Sequence, residues 1–404
     1  MSKQHSKNNS QKTTSLGKIL TLNYGKNLIA SERQKGQYPV YGSNGIVGYH
    51  NQAIINTPGI VVGRKGTVGS VHYSETPFNP IDTTYYITQE DTPLYLPYLF
   101  YVLKHKNLST LKADVGVPGL NRSVAYNEGV LITEDDNEQK NIVYILSTLQ
   151  KAIQKQEEIV NTTTAIKKSL LNKLFTEGTK GEQQKQTDIG LIPKSWEVVP
   201  LGKYIKFFGG FAFKSSETVK PGTSKIQLVR MGNLYQNKLD LTRSPTFYPD
   251  DYAEKYSRYV LKAGDLIISL TGTMGKEDYG FTVQIPEVET KLLLNQRVAK
   301  LIIDEEHLDQ DFVRCYMLSR KFLDELYPTA QGTKQANLST NVIQKIPFLV
   351  PGKDEQKTIA KTVMSIEKKF ATNEKKRNIY ENLFKTLLHE LITGSLRVHK
   401  FNFN

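Results

Sequence analysis

The chain predicts an α+β fold of two tandem mixed, mainly β domains, each followed by a long helix, the helices pairing antiparallel in a pseudo-two-fold internal repeat. Three observations predict it: a sequence repeat, two long apolar seams, and two blocks of short apolar runs broken by Gly, Asn and Pro. The length of 404 residues also fits two or three domains at roughly 150 residues each.

The repeat is read first, because it decides the architecture. Asn137-Glu138-Gln139-Lys140 recurs as Asp354-Glu355-Gln356-Lys357. At the same offset of 217, Leu170-Leu171-Asn172-Lys173-Leu174 recurs as Leu387-Leu388-His389-Glu390-Leu391. Across this stretch, Ile142, Leu146, Leu149, Ile153, Gln156, Val160, Thr163, Ile166, Leu170 and Leu174 follow spacings of mostly three and four, as do Ile359, Val363, Ile366, Phe370, Asn373, Arg377, Tyr380, Leu383, Leu387 and Leu391. That spacing puts each set on one stripe of a helix. Asn137 and Asp354 suit N-caps, and Gly178 and Gly394 suit C-terminal stops. A stripe of this length must be covered. Pairing of the two helices covers it; packing of each helix on its own globular neighbour is the alternative. Gln156 and Asn373 fall mid-seam, where polar groups fix register.

The repeat continues loosely outside the helices. Gly116 to Ser123 aligns with Gly332 to Ser339 at offset 216, Gly59 to Val62 resembles Gly264 to Ile268, and Leu16-Gly17-Lys18 resembles Leu201-Gly202-Lys203. The expected divisions are an N-terminal tail at 1–14, a first domain at 15–136, a helix at 137–177, a linker at 178–187, a second domain at 188–352, a helix at 353–396 and a C-terminal tail at 397–404. Within the domains, Ile54-Ile55, Gly59 to Gly63, Val68 to Tyr73, Thr84 to Thr88, Leu266 to Leu270 and Val298 to Ile303 read as strands. Pro97 to Lys106 and Leu308 to Leu326 read as helices.

Charge points to a partner. Lys+Arg exceeds Asp+Glu by 53 to 40, a net +13, which favours a polyanion. The excess is spread as +4, +2, +2 and +5 over residues 1–135, 136–185, 186–352 and 353–404. A polybasic tail is therefore excluded, and folded surfaces must gather the charge. One cysteine, Cys315, excludes an internal disulfide or a Cys-based zinc site and fits a reducing cytoplasm. No run approaches the roughly 18 apolar residues of a membrane helix, so no membrane partner is expected.

Catalytic signatures are missing. There is no Gly-x-x-x-x-Gly-Lys-Ser/Thr loop, no His-Glu-x-x-His and no Pro-Pro. What remains is a set of glycine-rich turns. Tyr41-Gly42-Ser43-Asn44-Gly45 is amide-rich, Gly63-Arg64-Lys65-Gly66-Thr67 places two cations in a turn, and Thr271 to Lys276 occupies the corresponding place in the second block. Glycines let backbone approach phosphates, and Arg, Lys, Asn and Gln clamp phosphates or read base edges. Each turn taken singly also reads as a hairpin that needs Gly.

Thr187-Asp188-Ile189-Gly190-Leu191-Ile192-Pro193-Lys194-Ser195-Trp196-Glu197, followed by Leu201-Gly202, resembles the entry to a target-recognition domain of type I restriction–modification specificity subunits. Ile346 to Pro351 leading into Glu355-Gln356-Lys357 is similar to that family as well, and so are the turns at 38–45 and 63–67. The resemblance runs from Leu16 to Arg397. The first unit departs from it in lacking the Ile-Pro-x-x-Trp entry. The family implies a non-catalytic DNA-binding chain whose two target-recognition domains read a bipartite duplex site, with the helices as a ruler. It implies two methyltransferase subunits and restriction/translocase subunits as partners, which would hold S-adenosylmethionine, ATP and Mg; this chain would bind no cofactor and no metal. The DNA-contact candidates are Tyr41, Asn44, Arg64, Lys65, Thr67, Asn121, Arg122, Lys214, Arg230, Asn233, Thr271, Thr273, Lys276, Gln331, Thr333 and Lys334. The competing readings are a DNA-binding scaffold and a standalone DNA-modifying enzyme.

Overall fold

The computed structural model describes residues 11–111 and 119–401. The chain divides into two units: the first holds residues up to Ile159 and from Asn373 on, the second Val160–Thr372.

In the first unit the strands are β1 (Lys12–Ser15), β2 (Asn23–Tyr24), β3 (Tyr38–Gly42), β4 (Gly45–His50), β5 (Gly59–Gly63), β6 (Val71–Ser74), β7 (Asn79–Pro80), β8 (Thr84–Ile87) and β9 (Gly129–Ile132). The helices are α1 (Leu96–Lys106), α2 (Arg122–Asn127) and the start of α3 (Asp136–Glu177). The main sheet runs β2-β8-β5-β6, antiparallel throughout. A second sheet runs β4-β3-β7, with β3 and β7 parallel. All five residues of β5 are buried, which explains its unbroken apolar run. The strand expected from Val68 begins only at Val71, because Gly69 turns at φ +75°, where an added Cβ would lie 2.3 Å from the Leu108 backbone. Ile55 makes a single bridge to Phe78 and forms no strand.

The second unit contains β10 (Gln184–Thr187), β11 (Gly190–Pro193), β12 (Glu197–Pro200), β13 (Ile205–Gly209), β14 (Ile226–Val229), β15 (Phe247–Tyr248), β16 (Val260–Leu261), β17 (Leu266–Ser269), β18 (Thr271–Thr273), β19 (Thr282–Gln284), β20 (Lys291–Leu294), β21 (Val298–Ile303), β22 (Gln335–Asn337) and β23 (Pro347–Val350). Its helices are α4 (Tyr252–Lys255), α5 (Gln310–Met317), α6 (Arg320–Leu326), α7 (Thr340–Ile343) and the start of α8 (Lys353–Thr393). The sheet β13-β21-β17-β19 repeats the order of β2-β8-β5-β6, and β15-β14-β20-β16 again centres on a parallel pair. The edge pairs β1-β9 and β12-β23 also match. The two units thus share one topology. The single helix expected at 308–326 is two, because the Ser319 side chain caps α6 by accepting the Phe322 N–H.

The alignment of 116–123 with 332–339 shifts by two. Leu120 donates to the Arg64 carbonyl as Leu338 donates to that of Leu270, and Asn121 precedes α2 as Ser339 precedes α7. Residues 116–118 lie outside the described residues.

The Glu-Gln-Lys repeat now has a physical meaning. Glu138 and Glu355 are buried, as are Gln139 and Gln356, while Lys140 and Lys357 are exposed. Gln139 accepts the Tyr95 N–H at the start of α1, and Gln356 accepts the Asp309 N–H at the start of α5, each at 2.8 Å or less. In the second unit Glu355 accepts the Thr179 N–H and hydroxyl, the Trp196 indole N–H and a Lys180 contact. In the first, Glu138 takes a two-pronged Arg397 at 2.6 Å, the Thr133 hydroxyl and the Val398 N–H. At the repeat offset of 217 Arg397 corresponds to Lys180, and each cation meets the buried glutamate of its unit, while Trp196 is a further partner in the second. Burial works to raise both carboxyls, but Arg397 and Thr133 at Glu138, and the Thr179 N–H and Trp196 at Glu355, hold them below the usual glutamate range.

These contacts also fix helix direction inside each unit. The start of α3 meets the chain just beyond α8, where Asn141 donates to the Val398 and Phe401 carbonyls. The start of α8 meets the chain just beyond α3 at Thr179. Within each unit the two helices are therefore antiparallel. Leu146 packs in one core with Leu391 and Ile392, and Leu171 and Leu174 pack with Ile359 and Val363. In the second unit Glu367 joins Arg314 and Lys167 at 2.5 and 2.7 Å. Gly178 and Gly394 end the helices at φ +68° and +71°.

Several boundaries are corrected. Asp135, not Asn137, caps α3, accepting the Asn137 and Glu138 N–H groups. At α8 the Gly352 carbonyl accepts the Glu355 and Gln356 N–H groups, and Asp354 lies inside the first turn. The expected tail at 1–14 contributes Lys12–Thr14 to β1, while residues 1–10 lie outside the described residues. The expected linker at 178–187 contributes β10 to the β10–β11 hairpin. The expected tail at 397–404 docks through Arg397 and the buried Val398.

Candidate nucleic-acid interface

In the first unit the turn after β5 is held from both sides. The Arg64 and Lys65 N–H groups both donate to the Thr83 carbonyl, at 2.9 and 3.1 Å. The Arg64 guanidinium donates to the Asp82 carbonyl at 3.1 and 2.6 Å. It also lies 5.2 Å from the Tyr24 ring centre, and so does the Arg122 guanidinium. Tyr24 is 50% exposed, so two cations flank one accessible ring. Beneath it lies Tyr85, whose hydroxyl donates to the Leu120 carbonyl and whose phenol is pushed up to about 12, chiefly by burial. Lys65 is exposed and pairs backbone to backbone with Gly119. The structure thus brings Arg64, Lys65, Asn121 and Arg122 together. Asn121 spends its side-chain oxygen on capping α2.

Thr67, exposed, donates its N–H to the Ser43 hydroxyl, which joins this turn to the exposed Asn44. Tyr41 departs from the expectation: it is 7% exposed and packs edge-on to Phe78 in a small core. Its ring shapes the turn from beneath.

In the second unit β18 and β22 form a two-stranded arm. Thr271 faces Asn337 and Thr273 faces Gln335. Met274 donates to the Lys334 carbonyl, and Gln331 and Asn337 exchange backbone hydrogen bonds. Thr273, Lys276, Gln331, Thr333 and Lys334 are therefore gathered, and all are exposed. Thr271 is corrected: it is buried, with its hydroxyl on the Met231 sulfur. Lys214 stands apart from the arm, exposed beside Phe213, with its carbonyl accepting the Tyr248 hydroxyl.

Arg230 lines a cleft of 370 Å³ with Asn233, Arg243, Asn295, Gln296 and Arg297. Asn233 is a second correction: at 2% exposure it accepts the Arg230 N–H and donates to the Asp240 and Arg243 carbonyls, so its polar atoms are spent on the loop. Sequence reasoning missed Arg243, Gln296 and Arg297. The signal was there: Asn295-Gln296-Arg297 interrupts two apolar strands, β20 and β21, with a purely polar turn.

The equivalence of the two sites is set by backbone contacts. Arg64 donates to the Thr83 carbonyl as Leu270 donates to that of Arg297. The cation-bearing turn of the first unit and the arm of the second thus spring from the same place in the same sheet. Elsewhere, Cys315 is buried and its thiol is pushed up to about 12 by burial, so it stays neutral core. Among the described residues no helix is long and apolar enough to cross a membrane.

A family model described as the type I restriction modification DNA specificity domain matches residues 9–162 and 193–381. The type I restriction enzyme MjaVIII specificity subunit of Methanocaldococcus jannaschii is 32% identical over 316 residues, covering 76% of this chain and 71% of that protein. The putative MjaX specificity subunit of the same organism is 28% identical over 317 residues, covering 76% and 68%. Among solved structures, the type I restriction–modification S subunit from M. genitalium has the same fold, with a TM-score of 0.67 at 15% identity, covering 96% of this chain and 98% of that one.

Proposed function

Because the chain belongs to the type I restriction–modification DNA specificity family, we propose that its two units each read one half of a bipartite duplex site and bring partner subunits to it. The observation that carries this reading is the repetition itself. One sheet topology occurs twice, and each copy presents cations and amides from the same position, but with different residues. Equal scaffolds with unequal tips suit two different half-sites. Lys65, Lys276 and Lys334 supply phosphate contacts, which position the protein without reading sequence. The forked and amide side chains supply choice.

The chemistry resides in partners on this reading. Two methyltransferase subunits dock on the long helices and hold S-adenosylmethionine, while restriction/translocase subunits hold ATP and Mg. Exposed apolar side chains support such docking: Tyr144, Ile379 and Leu383 in the first unit, Ile166 and Met364 in the second. The chain works in the cytoplasm, beside the DNA it reads.

The test is duplex binding by the purified chain with its partners, measured against salt and combined with a map of methylated adenines in cells. A two-part methylated motif is expected, with affinity falling steeply as salt rises. Salt-insensitive or absent binding overturns the reading in favour of a protein scaffold, and modification of DNA by this chain alone overturns it in favour of an enzyme.

A further inference from the structure

The cleft of the second unit carries an inference that rests on the DNA-reading role and deepens it. It is lined by three arginines and three amides, and no carboxylate lines it. Most of its polar groups are already committed. Arg230 donates to the Ser244 carbonyl, Arg243 stacks 4.8 Å from the Tyr235 ring centre, and Asn233 is wholly spent on its loop. Asn295 donates to the Gln296 side-chain oxygen at 2.6 Å and accepts the Arg297 N–H.

Two groups remain. The Arg297 side chain is exposed and has no partner among the described residues. Beside it, Gln296 accepts Asn295 on its oxygen, and its NH2 group has no partner among the described residues. The base of the turn is fixed, because the Arg297 carbonyl accepts the Leu270 N–H between buried strands. The result is a guanidinium and an amide NH2, both donors, carried side by side on a fixed turn. In the major groove, guanine presents two acceptors, O6 and N7. Adenine places a donor beside its acceptor, and cytosine presents a donor, so each would leave two donors facing one another.

We propose that Arg297, supported by Gln296, reads a guanine in the half-site of the second unit. A backbone phosphate offers acceptors too, and the experiment separates it from a base. Methylated adenines are mapped, and duplex binding is measured against salt, for the complex carrying the natural chain, Arg297→Ala or Arg297→Lys. Lysine keeps the charge and loses the planar fork.

The natural complex should require a G·C pair at one position of one half-site. Both variants should lose about 5- to 150-fold of discrimination at that position. The other half-site should stay intact, and Arg297→Lys should keep the salt slope. An unchanged motif overturns the proposal. So does uniform weakening in Arg297→Ala that Arg297→Lys restores, which marks a phosphate contact. Those outcomes leave the two-half-site role standing, whereas a natural complex with no two-part motif removes both.

Discussion

Arg64 and Lys65 are neighbours in one turn and do different work. Lys65 is exposed, and among the described residues only its backbone is engaged, so Lys65→Ala should weaken binding about equally on all duplexes and lower the salt slope by about one. Arg64 grips the Asp82 carbonyl and flanks Tyr24, so Arg64→Ala should cost more: it removes a charge and frees the turn that presents Lys65. Salt-dependent binding of the two variants checks this; equal effects would mean that the Arg64 contacts do not hold the turn. At this scale the sequence showed which turns carry cations but not which side chains point inward. Asn233 and Thr271 have the chemistry of readers and sit in polar loops, yet both are buried. That depends on where distant strands lie, and no local pattern reports it. Arg297 was overlooked for the converse reason: its short polar turn contains no glycine to mark it as one.

The long helices were the most legible elements, because a seam at spacings of three and four needs no tertiary information. Their caps were less so: Asp135, two residues before Asn137, takes the free N–H groups and α3 starts at Asp136. Gln156 sits mid-seam with its side-chain oxygen buried and unpartnered among the described residues. Burying such an oxygen costs stability, so no hydrogen bond of that oxygen supports the register role expected of Gln156. Since α3 runs unbroken for 42 residues, four residues inserted after Gln156 lengthen it by about 6 Å. The distance between the methylated half-sites should change accordingly, as a methylation map of the variant would reveal. An unchanged spacing would show that α3 does not measure it.

For the whole molecule, the repeat foretold two units of one kind, but not that the chain beyond α8 closes the first. Short offset-matched motifs gave the kinship of the Glu-Gln-Lys segments, while their function required seeing what reaches them. Two buried carboxylates, Glu138 and Glu355, and the part-buried Glu367 are each held below the ordinary 4.5, with burial opposing and paired cations or N–H groups prevailing. A depressed native value means that their stabilisation is complete above the unfolded value and is lost as pH falls through the native one. Melting temperature should therefore drop steeply below about pH 4.5, and Glu138→Gln should flatten that drop while lowering stability at neutral pH. A variant with the same acid profile as the natural chain would show that Glu138 contributes nothing to it.

The first unit is made of two stretches separated by the whole of the second. On the ribosome its opening residues emerge first, yet the α8 residues and Arg397 that complete their core emerge last. At about 5–20 residues per second, the wait is roughly ten to fifty seconds. The second unit, continuous from Val160 to Thr372, can finish in the meantime. The first unit, begun earlier, can therefore be completed only after the second has emerged. During that interval β5 and its neighbours must survive without Leu391 and Ile392, which makes the earliest-made half the one most exposed to proteases and to wrong partners.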